Sequence, residues 1–174
     1  MKIIGFDFSC SSFAYAVIEE AGEPLCLYPK VIRTNYVEFE TLPELECEAE
    51  NILLDVAPWF VVIEGLFLRH NPATLIKLAN VQGVLKLCGQ KFNQCEPLIV
   101  TPEQAKRAVG VDPYRKPYRG SKPKEKKELV MRAVNALFGV QCPNEHIADA
   151  MAVAWAAWEL CLNHLKEPHS LFEG

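Results

Sequence analysis

The order of apolar runs along the chain is the feature that most restricts how it can fold. Residues 2–8, 13–20 and 25–34 each read as a strand, and their short connections predict an antiparallel meander. After residue 40, segments with helical spacing of apolar residues alternate with short apolar runs typical of buried strands. This order predicts an α/β fold with a five-stranded mixed sheet that has helices on both faces.

The second half of the pattern supplies the remaining elements. Two further strands are predicted at residues 59–65 and 97–101. The predicted helices are 42–57, 72–91, a short helix that begins after the cap residue Thr101, 124–138 and 144–165. Apolar residues of the second helix are expected to pack on the sheet or to form an interface between two copies of the chain: Leu75, Leu78, Val81 and Leu85.

Length and composition place limits on the class of protein. The 174 residues suit one domain, expected at 1–165, followed by a flexible C-terminal tail at 166–174. No segment reaches the roughly 20 apolar residues of a membrane span, and the N-terminus lacks a signal-peptide layout, so we expect a cytoplasmic protein. The seven cysteines are scattered without a C-x-x-C pair, which argues against a zinc site or a disulfide framework.

Acidic residues stand at the ends of two predicted strands. Asp7 lies near the end of the first strand in GFDFS, and Glu64 ends the fourth in VIEGL. If these strands are parallel neighbours, both carboxylates emerge at the same edge of the sheet. Asp149 and His146 lie three residues apart near the start of the last helix, so they share one helical face. Taken singly, each acid has a plainer role as a helix cap or an ion-pair partner, and His146 as an exposed loop residue.

Taken together, the four residues indicate a metal site. Clustered carboxylates repel one another unless a cation neutralises them, and the three motifs contain no lysine or arginine. Oxygen ligands with little sulfur suit Mg²⁺ or Mn²⁺. Two such ions about 4 Å apart are a common device for hydrolysing phosphodiesters. We therefore expect two Mg²⁺ (or Mn²⁺) ions per active site, with Asp7 on a rigid strand to hold them.

The sequence also resembles a known family, the RuvC-type Holliday junction resolvases of the ribonuclease H-like superfamily. The matching stretches are IIGFDFSCSSFAYAVI, FVVIEGLFLRHNPATLIKLANVQGV and HIADAMAVA. The resemblance implies a ribonuclease H-like fold and a metal-dependent endonuclease that resolves four-way DNA junctions by paired symmetric nicks. It implies a homodimer, and it carries the family's catalytic and metal-binding positions to Asp7, Glu64, His146 and Asp149.

Residues that contact DNA are implied in the same way. Phe67 resembles the aromatic residue that the family inserts at the junction centre, and Lys106 and Lys126 resemble its basic residues near the active centre. Residues 103–132 contain ten Lys and Arg against four Asp and Glu, and the loop within them, 110–123, contains two tyrosines suited to stacking on bases. The predicted DNA-binding residues are Phe67, Arg69, Lys106, Arg107, Arg115, Lys116, Arg119, Lys122, Lys124 and Lys126.

Three alternative functions stay open at this point. A ribonuclease H-like nuclease for RNA/DNA hybrids, or a nuclease for flap and other branched DNA, would use the same acidic residues. A junction-binding protein without catalysis would need only the basic segment. An actin-like or sugar-kinase-like ATPase shares the early aspartate, but it needs glycine-rich phosphate turns that FDFSCSS does not offer.

Overall fold

The computed structural model describes residues 1–20, 29–66 and 71–166, with side chains described as far as residue 161. Its five strands form one sheet in the order β3-β2-β1-β4-β5. The strands are β1 (Lys2–Phe8), β2 (Ser12–Glu19), β3 (Lys30–Glu38), β4 (Phe60–Glu64) and β5 (Leu98–Val100). β1, β2 and β3 pair antiparallel, whereas β4 lies parallel to both β1 and β5. The predicted meander and mixed sheet are confirmed.

Five helices complete the described part of the chain. They are α1 (Leu42–Val56), α2 (Pro72–Asn93), α3 (Pro102–Ala108), α4 (Pro123–Phe138) and α5 (Glu145–Lys166). Side chains of Thr41, Asn71 and Thr101 cap α1, α2 and α3 by accepting a backbone N–H three residues on. The predicted cap at Thr101 is confirmed. None of the helices in the described ranges is long and apolar enough to cross a membrane.

The third strand differs from its predicted extent. Pairing with β2 continues to Ser12 opposite Glu38, so β3 runs beyond the expected end at Thr34. The first residues predicted for this strand, 25–28, lie outside the described residues. The predicted C-terminal tail also lies outside them apart from Lys166, which belongs to α5.

Each face of the sheet is covered by its own set of helices. Alternate residues of β1, including Ile4 and Phe6, pack against α1 and α2 on one face. Ile3, together with Val62 of β4, packs on the other face against α3, α4 and α5. On α2, Val81 and Leu85 are buried in this chain's own core, which favours packing on the sheet over an interface for these residues.

The contact between α5 and β1 is unusually close. A Cβ added to Gly5 would lie 2.6 Å from the carbonyl oxygen of Ala150 and 2.6 Å from the backbone nitrogen of Ala154. Only glycine allows the helix backbone to approach the strand at this distance. The alanines of α5, among them Ala148 and Ala157, are fully buried along the same helix. The start of α5 is thereby held beside the end of β1.

We expect Gly5→Ala to destabilise the fold by about 1–3 kcal/mol, because the clash is with backbone atoms that cannot rotate away. The free energy of unfolding in urea measures this effect. Gly83→Ala is the matched control, since an added Cβ there has nothing within 4 Å and lies on the exposed side of α2. That change should stabilise the helix by about 0.5–1 kcal/mol. Equal stability of the two variants would contradict the proposed close packing.

Candidate active site

The strand register brings two of the predicted acids together. Gly5 pairs with Val62 and Phe6 with Ile63 between the parallel strands β1 and β4, so the next positions are Asp7 and Glu64. Glu64 is two residues from Val62 and therefore points to the same face of the sheet, the face covered by α5. Asp7 is 7% exposed, and Glu64 is partly buried. The predicted meeting of these two carboxylates at one sheet edge is thus confirmed.

The first turns of α5 deliver the other two residues. Asn144 caps this helix through its side-chain oxygen, which accepts the backbone N–H of Ile147 at 2.9 Å. His146 lies in the first turn, and its Nδ1 is 3.2 Å from Oδ2 of Asp7. This hydrogen bond is the main reason that the pKa of His146 is raised. Asp149, one turn later, lies close enough to the Asp7 charge for its own pKa to respond.

The carboxyl groups are electrostatically crowded. Burial is the largest cause that raises the pKa of Glu64 well above its usual range, and the Asp7 charge and a hydrogen bond with Asp7 add to it. Burial and the Asp7 charge also raise the pKa of Asp149 to about 6. Lys106 on α3 acts in the opposite direction and lowers the pKa of both Glu64 and Asp149. The site thus favours an added positive charge.

The chemistry of these side chains fits a divalent cation. Three carboxylates and one imidazole provide oxygen ligands with a single nitrogen, a set that suits Mg²⁺ or Mn²⁺. Among the residues that the structure describes, no three His, Cys, Asp or Glu side chains converge in a finished metal-binding geometry. The groups instead bond one another, His146 and Glu64 with Asp7. Binding of a cation would therefore replace contacts within the cluster.

A cavity of about 580 Å³ opens next to the acids. Glu64 and Asp149 contribute to its lining on one side. Basic and aromatic residues from α3, α4 and the loop between them line it as well: Lys106, Tyr114, Tyr118, Arg119 and Lys126. The cavity thus has an acidic part and a basic part within one space, an arrangement that suits a phosphodiester held beside a cation.

Other predicted DNA-binding residues have partners of their own in the α3–α4 region. The guanidinium of Arg107 lies over the Tyr114 ring at 5.1 Å, and the ammonium of Lys126 lies over the Tyr118 ring at 5.1 Å. Arg115 pairs with Asp112 at 3.4 Å. The remaining predicted DNA-binding residues of this segment are exposed: Lys116, Lys122 and Lys124. Phe67 and Arg69 lie outside the described residues.

Two neighbours of the site are absent from the sequence-based set. Tyr36 on β3 places its ring 5.5 Å from the His146 ring, and Glu145 places Oε1 3.9 Å from Nε2 of the same histidine. Glu145 adjoins His146 in the sequence, so a search of the flanking residues could have found it. Tyr36 carries no local signal, because its proximity depends on the register of three strands.

Comparisons with known proteins identify the family to which this chain is similar. A model of the family "Crossover junction endodeoxyribonuclease RuvC" matches residues 3–157. The protein of that name from Natranaerobius thermophilus is 31% identical over 157 residues, which cover 88% of this chain and 92% of the relative. The one from Campylobacter curvus is 32% identical over 171 residues, 93% of this chain and 99% of the relative.

Solved structures show the same architecture. T. thermophilus RuvC in complex with Holliday junction substrate matches with a TM-score of 0.73 at 17% identity, covering 93% of this chain and 96% of that one. The yeast mitochondrial Holliday junction resolvase Ydc2 matches with a TM-score of 0.59 at 14% identity, covering 95% and 81%. The fold is therefore ribonuclease H-like, as predicted. With the sequence matches, the chain belongs to the RuvC family, whose nucleases typically depend on divalent metal ions.

We expect Asp149→Asn to make the metal-free protein more stable at pH 7.5. The raised pKa means that the acid stabilises the fold while protonated, and this contribution is lost as pH rises through about 6. An amide carries no charge at either pH, so the variant should gain on the order of 1 kcal/mol at pH 7.5 and much less at pH 5. Thermal unfolding in EDTA at both pH values measures the difference.

Glu48→Gln provides the control for this experiment, because it removes one acid from an exposed position on α1. Its effect on the melting temperature should be small at both pH values. The contradicting result is an Asp149→Asn variant that is less stable than the parent chain, by the same amount at pH 7.5 and at pH 5. It would show that Asp149 is not repelled by the neighbouring carboxylates.

Proposed function

We propose that this chain cuts four-way DNA junctions with a symmetric pair of nicks, using Asp7, Glu64, His146 and Asp149 to hold two Mg²⁺ or Mn²⁺ ions. Its class, an endonuclease that resolves junctions, follows from membership of the RuvC family. The single observation that carries the site assignment is the convergence of β1, β4 and α5 on Asp7. Three distant segments of the chain supply its neighbours.

Each acidic residue has a distinct position from which to act. Asp7 lies deepest and contacts both Glu64 and His146, so its carboxylate would help to hold both ions. Glu64 on β4 and Asp149 on α5 lie on the cavity side and would each complete the ligands of an ion there. The strand and helix backbones fix these positions, which keeps the reacting groups within a narrow range of distances.

The bound cations would supply the charge that activates a water molecule and neutralises the leaving oxygen of the cut phosphodiester. The protein itself positions the scissile phosphate. Lys106 interacts electrostatically with both Glu64 and Asp149 and lines the same cavity, so its ammonium group can contact a phosphate oxygen there. Arg119 and Lys126 extend this positive surface away from the acids and would hold the neighbouring phosphates.

Paired nicks require two active sites related by symmetry, and we include a homodimer in the proposal. A two-fold axis in the enzyme matches the two-fold symmetry of a four-way junction. On α2, Val81 and Leu85 are buried within the chain, whereas Ile76 and Leu87 are 62% and 47% exposed. The buried pair is therefore not available to a second copy.

Asp7→Asn should abolish cleavage of a synthetic mobile junction, with a rate at least about 100-fold lower, because the amide removes a charge that would hold the ions. Junction binding in EDTA should stay within about threefold of the parent chain, since the basic surface is unchanged. Glu48→Gln, on the exposed side of α1, should leave both cleavage and binding unaffected. Cleavage by Asp7→Asn at the normal rate would exclude this residue from the site.

Parallel digestion of labelled junction, flap, RNA/DNA hybrid and linear duplex separates the alternative nucleases. We expect the junction to be cut faster than the other three substrates. Faster cutting of the hybrid or the flap would redirect the assignment within the ribonuclease H-like class. Binding in EDTA without nicks in either Mg²⁺ or Mn²⁺ would identify a protein that binds junctions without catalysis.

Arg119→Gln should weaken junction binding several-fold, and the slope of log Kd against log salt concentration should become shallower by about one. The reason is the loss of one phosphate contact from the basic side of the cavity. Lys30→Gln removes the same charge at the opposite end of the sheet, where Lys30 of β3 lies opposite Glu19 of β2 in the strand register. This change should leave the slope unchanged. Equal slopes for the parent chain and Arg119→Gln would remove Arg119 from the interface.

A further inference from the structure

We propose that Tyr36 is a positioning residue that sets the orientation of the His146 ring for metal binding. The two ring centroids are 5.5 Å apart and their planes differ by 33°. This distance lies within the range at which aromatic rings attract one another. The inference rests on the proposed function, because it takes His146 to be a metal ligand.

The sheet register explains why Tyr36 is at this position. Asp7 pairs with Ala14 across β1 and β2, and Ala14 pairs with Tyr36 across β2 and β3. Directly paired residues share a face of the sheet. Tyr36 therefore lies in the same row as Asp7, two strands away, on the face that α5 covers. The small side chain of Ala14 between them leaves room above the sheet for the imidazole.

The other neighbours of His146 leave its ring plane unconstrained. Asp7 contacts one ring atom, Nδ1, and a single hydrogen bond fixes a direction without fixing rotation about it. Glu145 lies 3.9 Å from Nε2, which is too long for a hydrogen bond, and it forms an ion pair with Lys127. The side chain of His146 is 41% exposed, so solvent would otherwise allow several rotamers. Among the residues that the structure describes, Tyr36 is the neighbour that contributes a flat surface.

A fixed ring plane affects the affinity for a metal ion. Imidazole binds a metal through a lone pair in the plane of the ring, so rotation of the ring moves the lone pair away from the ion. Residues that orient a metal-binding histidine typically change metal affinity by about 10- to 100-fold when they are removed. Tyr36 would act in this way through its ring face, and its hydroxyl group would be dispensable.

The test is the affinity of the full chain for Mn²⁺ without DNA, measured by isothermal titration calorimetry. Tyr36→Leu should raise the Kd for Mn²⁺ about tenfold, whereas Tyr36→Phe, which retains the ring, should stay within about twofold. Tyr36→Met, a flexible side chain without a ring, serves as a second variant if the leucine variant folds poorly. Phe60→Leu is the control, since it removes a partly exposed ring near the other end of the sheet and should not change the Kd.

A double-mutant cycle with His146→Ala separates positioning from general structural support. Tyr36→Leu should have no further effect on the Kd once His146 is absent. A tenfold effect that persists in the His146→Ala background, or a normal Kd in Tyr36→Leu, would overturn the inference while leaving the metal ligands in place. An unchanged Kd in His146→Ala alone would show that this histidine is not a ligand, and both the ligand set and the inference would then be wrong.

Discussion

The close packing of α5 on β1 is the contact on which the rest of the site depends. Gly5 has no side chain. A Cβ atom at this position would collide with the backbone of Ala150 and Ala154. The helix can therefore lie against the strand and place its first turns beside Asp7, where β4 already supplies Glu64. The proposed catalytic residues come from segments that are far apart in the sequence, and a single glycine allows two of these segments to approach closely.

The acidic residues of the candidate site lower the stability of the metal-free fold. The core on either side of the sheet is apolar and well packed, but its functional edge contains buried carboxyl groups that repel one another. The pKa of Glu64 and that of Asp149 are raised as a consequence, by burial and by the Asp7 charge. Lys106 and His146 offset part of this rise. The same unfavourable charge would favour binding of the proposed divalent cation.

Much of this could be predicted from the sequence, because the informative patterns are local. Asp7 and Glu64 each follow an apolar run, and parallel neighbouring strands necessarily place both at one edge; the three-residue spacing of His146 and Asp149 similarly places them on one helical face. Tyr36 could not be found in this way, because its place beside His146 depends on two strand registers and on a strand that continues past its predicted end. The stacking of Arg107 on Tyr114 and of Lys126 on Tyr118 depends likewise on the path of an irregular loop. The role of Gly5 could not be predicted either, because it depends on how closely α5 approaches β1.

Anomalous diffraction from crystals of the chain grown with Mn²⁺ tests the central claim most directly, because it locates the ions without reference to activity. The geometry described above predicts anomalous peaks within coordination distance of the Asp7 carboxylate, with Glu64 and Asp149 as further ligands. Peaks confined to other parts of the molecule, in crystals of a preparation that cleaves junctions, would contradict it.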